Sequence, residues 1–164
     1  MLNYDLVTSK ACYRLPRRDD MPALLRLAAQ YDAERAEAWG SQERMLRTTR
    51  ELLRHPDRGS IFLIERGQNL VGYCILVNQW SNRYGGLVLK IDELFLDARH
   101  RRDGIAEDFL DLLVKVAPPG TFAIEFNAIG DKEIVRLCER AGFERRNGSV
   151  MTRRTAQEPA ASDG

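Results

Sequence analysis

The sequence predicts a single α+β (mixed α/β) domain, in which short strands and amphipathic helices share one core. Three observations carry this. Apolar residues alternate or run in short blocks through the middle of the chain, bounded by turn residues. Helical spacing frames those blocks on both sides. The 164 residues show no internal repeat and no second domain, and that length suits one core.

The elements follow in order. Residues 1–10 read as a short arm, and Cys12 to Leu15 as a brief strand stopped by Pro16. Asp19 and Asp20 offer a helix N-cap, with Pro22 in the first turn. Leu24, Leu27, Ala28 and Tyr31 then recur at helical spacing, predicting a helix to about Ala38, ended by Gly40. A second helix covers Gln42 to Arg54 before His55-Pro56. Ser60 to Glu65 and Leu70 to Gln79 form a hairpin around the turn Arg66 to Asn69. After the loop Ser81 to Gly86, Leu87 to Asp97 is another strand. Ile105, Phe109, Leu112 and Val116 mark one face of a helix that begins after Asp103 and stops at Pro118-Pro119-Gly120. Phe122 to Asn127 is a strand, and Asp131 to Ala141 a helix with Ile134, Leu137 and Cys138 inward. Phe143 to Arg154 predicts a hairpin turning at Asn147-Gly148. The domain is therefore expected over residues 1–154, with Thr155 to Gly164 a disordered tail.

Composition narrows the function. The 25 basic and 24 acidic residues nearly cancel, which argues against a nucleic-acid protein and its usual basic excess. Cys12, Cys74 and Cys138 are odd in number and widely spaced, as expected of reduced thiols in a cytoplasmic protein without a structural metal. The first residues lack the basic flank and apolar run of a signal peptide, and no apolar stretch approaches the ~20 residues that cross a bilayer.

The segment Ile91 to Ala106 is the most informative. A strand ends, a basic glycine-bearing turn follows, and an amphipathic helix begins. The N-terminus of a helix presents unpaired N–H groups and a partial positive charge, which suits a phosphate. Gly104 lets a ligand approach the backbone, Ala106 keeps the first turn uncrowded, and Arg101 and Arg102 add forked donors.

Arg101-Arg102-Asp103-Gly104-Ile105-Ala106 resembles the Arg/Gln-x-x-Gly-x-Gly/Ala motif of the GNAT superfamily of N-acetyltransferases. Asp131-x-x-Ile134-x-x-Leu137-Cys138-x-x-x-Gly142-Phe143 resembles a second family pattern, Asn-x-x-Ala-x-x-Leu-Tyr-x-x-x-Gly-Phe. The resemblance implies a central mixed, mostly antiparallel sheet of six to seven strands with about four helices. It implies acetyl-CoA as co-substrate, no metal, a small-molecule or peptide amine as acceptor, and a homodimer without nucleic-acid or membrane partners; the alternative within the same fold is a catalytically silent acyl-CoA-binding sensor. By the same resemblance, the turn Arg101 to Ala106 holds the pyrophosphate, Leu94, Phe95 and Leu96 hydrogen-bond the pantetheine through their backbone, and Asp131 occupies a cofactor-contacting position. Asp131 replaces the family's frequent Asn, and Cys138 its frequent proton-donating Tyr. Cys138 has two readings: the acid that protonates the leaving thiolate, or a small buried hydrophobe.

The reaction needs a base, because an amine near pKa ~10.4 is protonated at neutral pH. Asp92 and Glu93 are the candidates. Neighbours on a strand point to opposite faces, so only one meets the substrate unless a bulge intervenes. The stretch Ile-Asp-Glu-Leu-Phe-Leu is similar to a strand of the polyamine and thialysine acetyltransferase branch, where the first acid, here Asp92, lies at the acceptor site. Alternation places Asp92 with Leu94 and Leu96, and Glu93 with Phe95; the choice stays open. A main-chain N–H near Leu94 or Phe95 is the expected oxyanion donor. Tyr31, Asp32, Glu34, Trp39, Trp80 and Tyr84 are the acidic and aromatic residues expected around an ammonium.

Overall fold

The computed structural model describes residues 5–35, 41–128 and 132–146. Six strands form one sheet in strictly sequential order: β1 (Leu6–Val7), β2 (Cys12–Arg14), β3 (Gly59–Arg66), β4 (Asn69–Ser81), β5 (Gly86–Leu96) and β6 (Thr121–Phe126). All neighbours are antiparallel except β5 and β6, which run parallel. Helices α1 (Met21–Arg35) and α2 (Ser41–Arg54) connect β2 to β3, α3 (Ile105–Val116) makes the crossover from β5 to β6, and α4 (Lys132–Arg140) follows.

Both sheet faces are covered, which explains why the middle strands read as near-continuous apolar runs. Ile61, Leu63, Tyr73, Ile75 and Phe95 pack with Leu24, Leu27, Ala28 and Met45 of α1 and α2. Their alternates Phe62, Ile64, Cys74 and Leu76 pack with Ile105, Phe109, Leu110 and Leu113 of α3. The buried stripe of α3 is thus set one notch from expectation. Leu110 and Leu113 are fully covered, while Leu112 and Val116 sit at its margin.

Other boundaries differ for local reasons. The arm contains a strand, because Leu6 and Val7 pair with Tyr13 and Cys12. Asp20 does not cap α1 directly. It closes a short 3-10 turn over Arg18–Asp20 by accepting from the Arg17 N–H at 2.6 Å, and α1 continues from Met21. The same carboxylate meets Arg14, a buried guanidinium also bonded to Glu65. Of the expected C-terminal hairpin, Phe143 to Arg146 are described and form no strand, while its turn and second arm, the tail, and Trp39 and Asp131 lie outside the described residues.

Candidate active site

The site begins where β5 loses its outer partner. Leu87 to Ile91 pair with β6, but the pairing stops at Ile91 opposite Phe126, so from Asp92 to Leu96 no described strand borders that edge. A cleft of about 690 Å³ opens there, walled by Leu94, Phe95 and Leu96, by the turn and first residues of α3, by α4, and by Tyr31 on α1. Its lining is apolar along β5, Ile134 and Leu137. Elsewhere it is basic, with five arginines (35, 101, 102, 136 and 140) against three glutamates (34, 107 and 133). Such a surface suits an elongated ligand with an uncharged arm and a phosphate-bearing end.

The part of the cleft whose chemistry suits a phosphate is the N-terminus of α3. Gly104 caps this helix at φ 70° and ψ 17°, in the left-handed region that glycine adopts without a Cβ clash. A Cβ built there would come 2.4 Å from Lys10 Nζ, so the Lys10 ammonium borders the turn. Lys10 also donates to the Asp103 carbonyl at 3.3 Å. Ile105 is wholly buried, which leaves only its main chain for a ligand, whereas Ala106 lines the cleft. The Asp103 carboxylate is held by Arg66 of β3 and approached by His100 Nδ1 at 3.4 Å.

The two arginines of the turn divide their work. Arg101 is a strut: its Nε donates to the Leu96 carbonyl at 2.9 Å, and Nη2 reaches Glu34, 2.7 Å from Oε1. Its guanidinium also lies 5.5 Å over the Phe95 ring, fixing the turn against the end of β5. Arg102 lines the cleft.

The two candidate acids are separated by a bulge. Ile75 of β4 pairs with Glu93 and Leu76 with Ile91, so Asp92 is the extra residue of β5. The bulge breaks the simple alternation. Ile91 and Leu94, an odd three residues apart, belong to the same face of the core. Asp92 is therefore exposed instead of buried with Leu94 and Leu96, while Glu93 sits with Phe95 on the α1–α2 face as expected.

Glu93 is enclosed, its side chain only 14% accessible. Tyr73 Oη donates to Glu93 Oε2 at 2.8 Å, and Arg44 Nη2 of α2 stands 3.7 Å from Oε1. That same nitrogen donates to Asp32 Oδ1 at 2.8 Å. Tyr31, Tyr73 and Phe95 close the cluster, their ring centroids 5.9–6.4 Å apart. Burial pushes the Glu93 carboxyl above its ordinary range, with Asp92 and Asp32 adding to the rise, and the Tyr73 hydrogen bond and Arg44 charge only partly offset it. The Tyr73 hydroxyl is raised by burial and by Glu93.

Cys138 is buried in α4, and burial raises its thiol pKa. The cleft wall uses its neighbour Leu137 instead. Of the residues expected around an amine, Tyr31 and Glu34 reach the cleft and Asp32 joins the Glu93 cluster, while Trp80 is exposed and Tyr84 lies beside Arg146. Sequence reasoning missed Arg44, Tyr73 and Lys10. Each comes to the site through tertiary packing, and the only trace was a phenol inside an otherwise apolar strand.

The acetyltransferase (GNAT) family profile matches residues 22–143. An integron cassette protein from the mobile metagenome of the Cole Harbour salt marsh is similar in structure, with 27% identity and a TM-score of 0.76 over 88% of this chain and 91% of that one. A possible acetyltransferase from Clostridium difficile 630 superposes with a TM-score of 0.74 at 13% identity, over 88% and 97% of the two chains. The aminoglycoside enzyme AAC(6')-Iy, solved with a bisubstrate analogue of CoA and acetylneamine, gives 0.72 at 14% identity over 90% and 100%. Among curated proteins no sequence matches significantly. The fold is that of the acetyltransferases it superposes on. The chain belongs to the acetyltransferase (GNAT) family, whose members are N-acetyltransferases.

Proposed function

We propose that this protein transfers the acetyl group of acetyl-CoA to a primary amine by direct attack within a ternary complex, with Glu93 as the base. The observation that carries the reading is the edge of β5 that no described strand borders. It runs from the enclosed carboxylate at the bulge to the glycine-capped turn at the start of α3.

The cleft fits the co-substrate. The Gly104 turn and the N-terminus of α3 take the pyrophosphate, with Lys10, Arg102 and the arginines of α4 at its rim. Main-chain groups of Leu94, Phe95 and Leu96 hydrogen-bond the uncharged arm along the free edge. Acetyl-CoA brings the acetyl group as a thioester, already activated for attack by nitrogen. Glu93 removes the ammonium proton, directly or through one water, and its raised pKa brings it closer to the basicity this needs. Tyr31 and Phe95 line the cleft wall beside Glu93, and Tyr73 is buried behind them, bonded to the base. Solvent protonates the departing thiolate, and Cys138 serves as packing.

The acceptor class is an amine-bearing small molecule or a peptide, and the working assembly is a homodimer, which light scattering at micromolar concentration checks. The decisive assay follows free thiol released from acetyl-CoA with spermidine, lysine, kanamycin and an alanine-terminated peptide. Glu93→Gln is expected to lower kcat ~10²–10⁴-fold while leaving acetyl-CoA affinity intact. Asp92→Asn is expected to change kcat little. Full activity in Glu93→Gln, or its loss in Asp92→Asn alone, would move the base to Asp92.

A further inference from the structure

Among the described residues, the Glu93 cluster holds three carboxylates and a single guanidinium, and that imbalance has a shape. Arg44 Nη2 forms a hydrogen bond to Asp32 Oδ1 at 2.8 Å but stays 3.7 Å from Glu93 Oε1, beyond hydrogen-bond range. Asp32 is as enclosed as Glu93, its side chain 9% accessible, and its Oδ2 is buried without a donor among the described residues. An acid in the middle of α1, on the face otherwise filled by Leu24, Leu27 and Ala28, costs desolvation energy that the one hydrogen bond from Arg44 only partly offsets.

We propose that Asp32 is a positioning residue that competes with Glu93 for Arg44, drawing the guanidinium off the base so that it is neither neutralised nor left wholly alone. A carboxylate fully paired with arginine is a poor proton acceptor, because the pairing stabilises its charged form. The same carboxylate in this pocket without any cation would have its pKa raised further by burial. Sharing one arginine between α1 and β5 sets an intermediate basicity. The groups facing Glu93 are Asp32 and Tyr31 from α1, Arg44 from α2, Tyr73 from β4, and Asp92 beside it on β5.

Asp32 and Arg44 therefore act on Glu93 in opposite directions, and a role in positioning the base, unlike a merely structural staple between α1 and α2, carries those shifts into the acid limb of kcat/KM. Arg44→Gln removes the cation and raises the Glu93 titration midpoint. Asp32→Asn removes a competing anion and frees Arg44 for Glu93, which lowers the midpoint. Each shift is expected to be about one pH unit, the scale of a charge at this distance. Arg44→Lys restores the charge and brings the midpoint back toward wild type.

The inference rests on Glu93 being the base, and the test separates the two. Carboxyl ¹³C NMR of the ligand-free protein, with the Glu93 signal assigned by its loss in Glu93→Gln, reads the midpoint without any acceptor. Opposite shifts in the two variants support the proposal; unmoved midpoints, or shifts of the same sign, overturn it. Asn preserves most of the side-chain volume of Asp, so where Arg44→Gln does not fold, Asp32→Asn alone carries the test, and a midpoint there that stays fixed or rises overturns the proposal. The acid limb of kcat/KM with the panel amines is expected to follow the NMR midpoints. Midpoints that move while the acid limb stays fixed leave the pairing standing and overturn the base reading alone.

Discussion

Gly104→Ala is the most informative perturbation of the co-substrate site, because its two consequences can be measured apart. Gly104 holds φ 70°, and an L-residue in that region costs ~1–2 kcal/mol. Its Cβ would meet only the flexible end of Lys10, which swings aside, so no large packing cost is added. At ~2–4 °C per kcal/mol for a domain of this size, the melting temperature should fall by ~2–8 °C. Gly85 is the control. It sits at φ 64° with nothing within 4 Å of an added methyl, so Gly85→Ala carries the strain without touching the cleft. Acetyl-CoA at a hundredfold over its dissociation constant adds ~2.7 kcal/mol to wild type, a rise of ~5–11 °C. The rise should persist in Gly85→Ala and shrink in Gly104→Ala, where the new Cβ stands at the phosphate cradle. Tenfold weaker binding removes ~1.4 kcal/mol of the stabilisation, or ~3–6 °C. Differential scanning fluorimetry with and without acetyl-CoA reads both effects. An equal ligand-induced rise in all three proteins would refute the assignment of the phosphate site to this turn.

Two further predictions concern pH. The folded-state pKa of Glu93 is raised, so its effect on stability is complete below the unfolded value near ~4.3 and is lost as pH rises through the folded value. Glu93→Gln should therefore melt higher than wild type at pH 7–8, with the gap closing toward pH 4, although its transfer activity is lost. Asp20 has the opposite sign. Its hydrogen bond from Arg14 holds its carboxyl below the usual range, so its contribution is present above the unfolded value near ~3.9 and lost as pH falls through the folded value. Asp20→Asn leaves the buried Arg14 with Glu65 alone, and should cost ~1.5–3 kcal/mol at pH 7 and much less below pH 3 in thermal melts followed by circular dichroism.

Much of this protein was legible in the sequence, for physical reasons. Periodicity placed α3 and the β3–β4 hairpin, because both elements sort apolar residues by face over many residues. The turn at Gly104 was legible because a left-handed residue just where a strand hands over to a helix favours glycine. Local chemistry demands these features, so the chain records them locally. The sequence also marked Asp92 and Glu93 as candidate acids. It could not say which face each takes, since that depends on a bulge that exists only in the register between β4 and β5. Tertiary packing decided the rest: it carried Arg44 from α2 and Asp32 from α1 to either side of one another, stood Tyr73 against Glu93, and turned Arg101 into a strut on Glu34. These pairs lie 12, 20 and 67 residues apart, and no local pattern encodes them. A charge's role is set by the partner that reaches it through space, and that partner is fixed only once the helices are packed on the sheet.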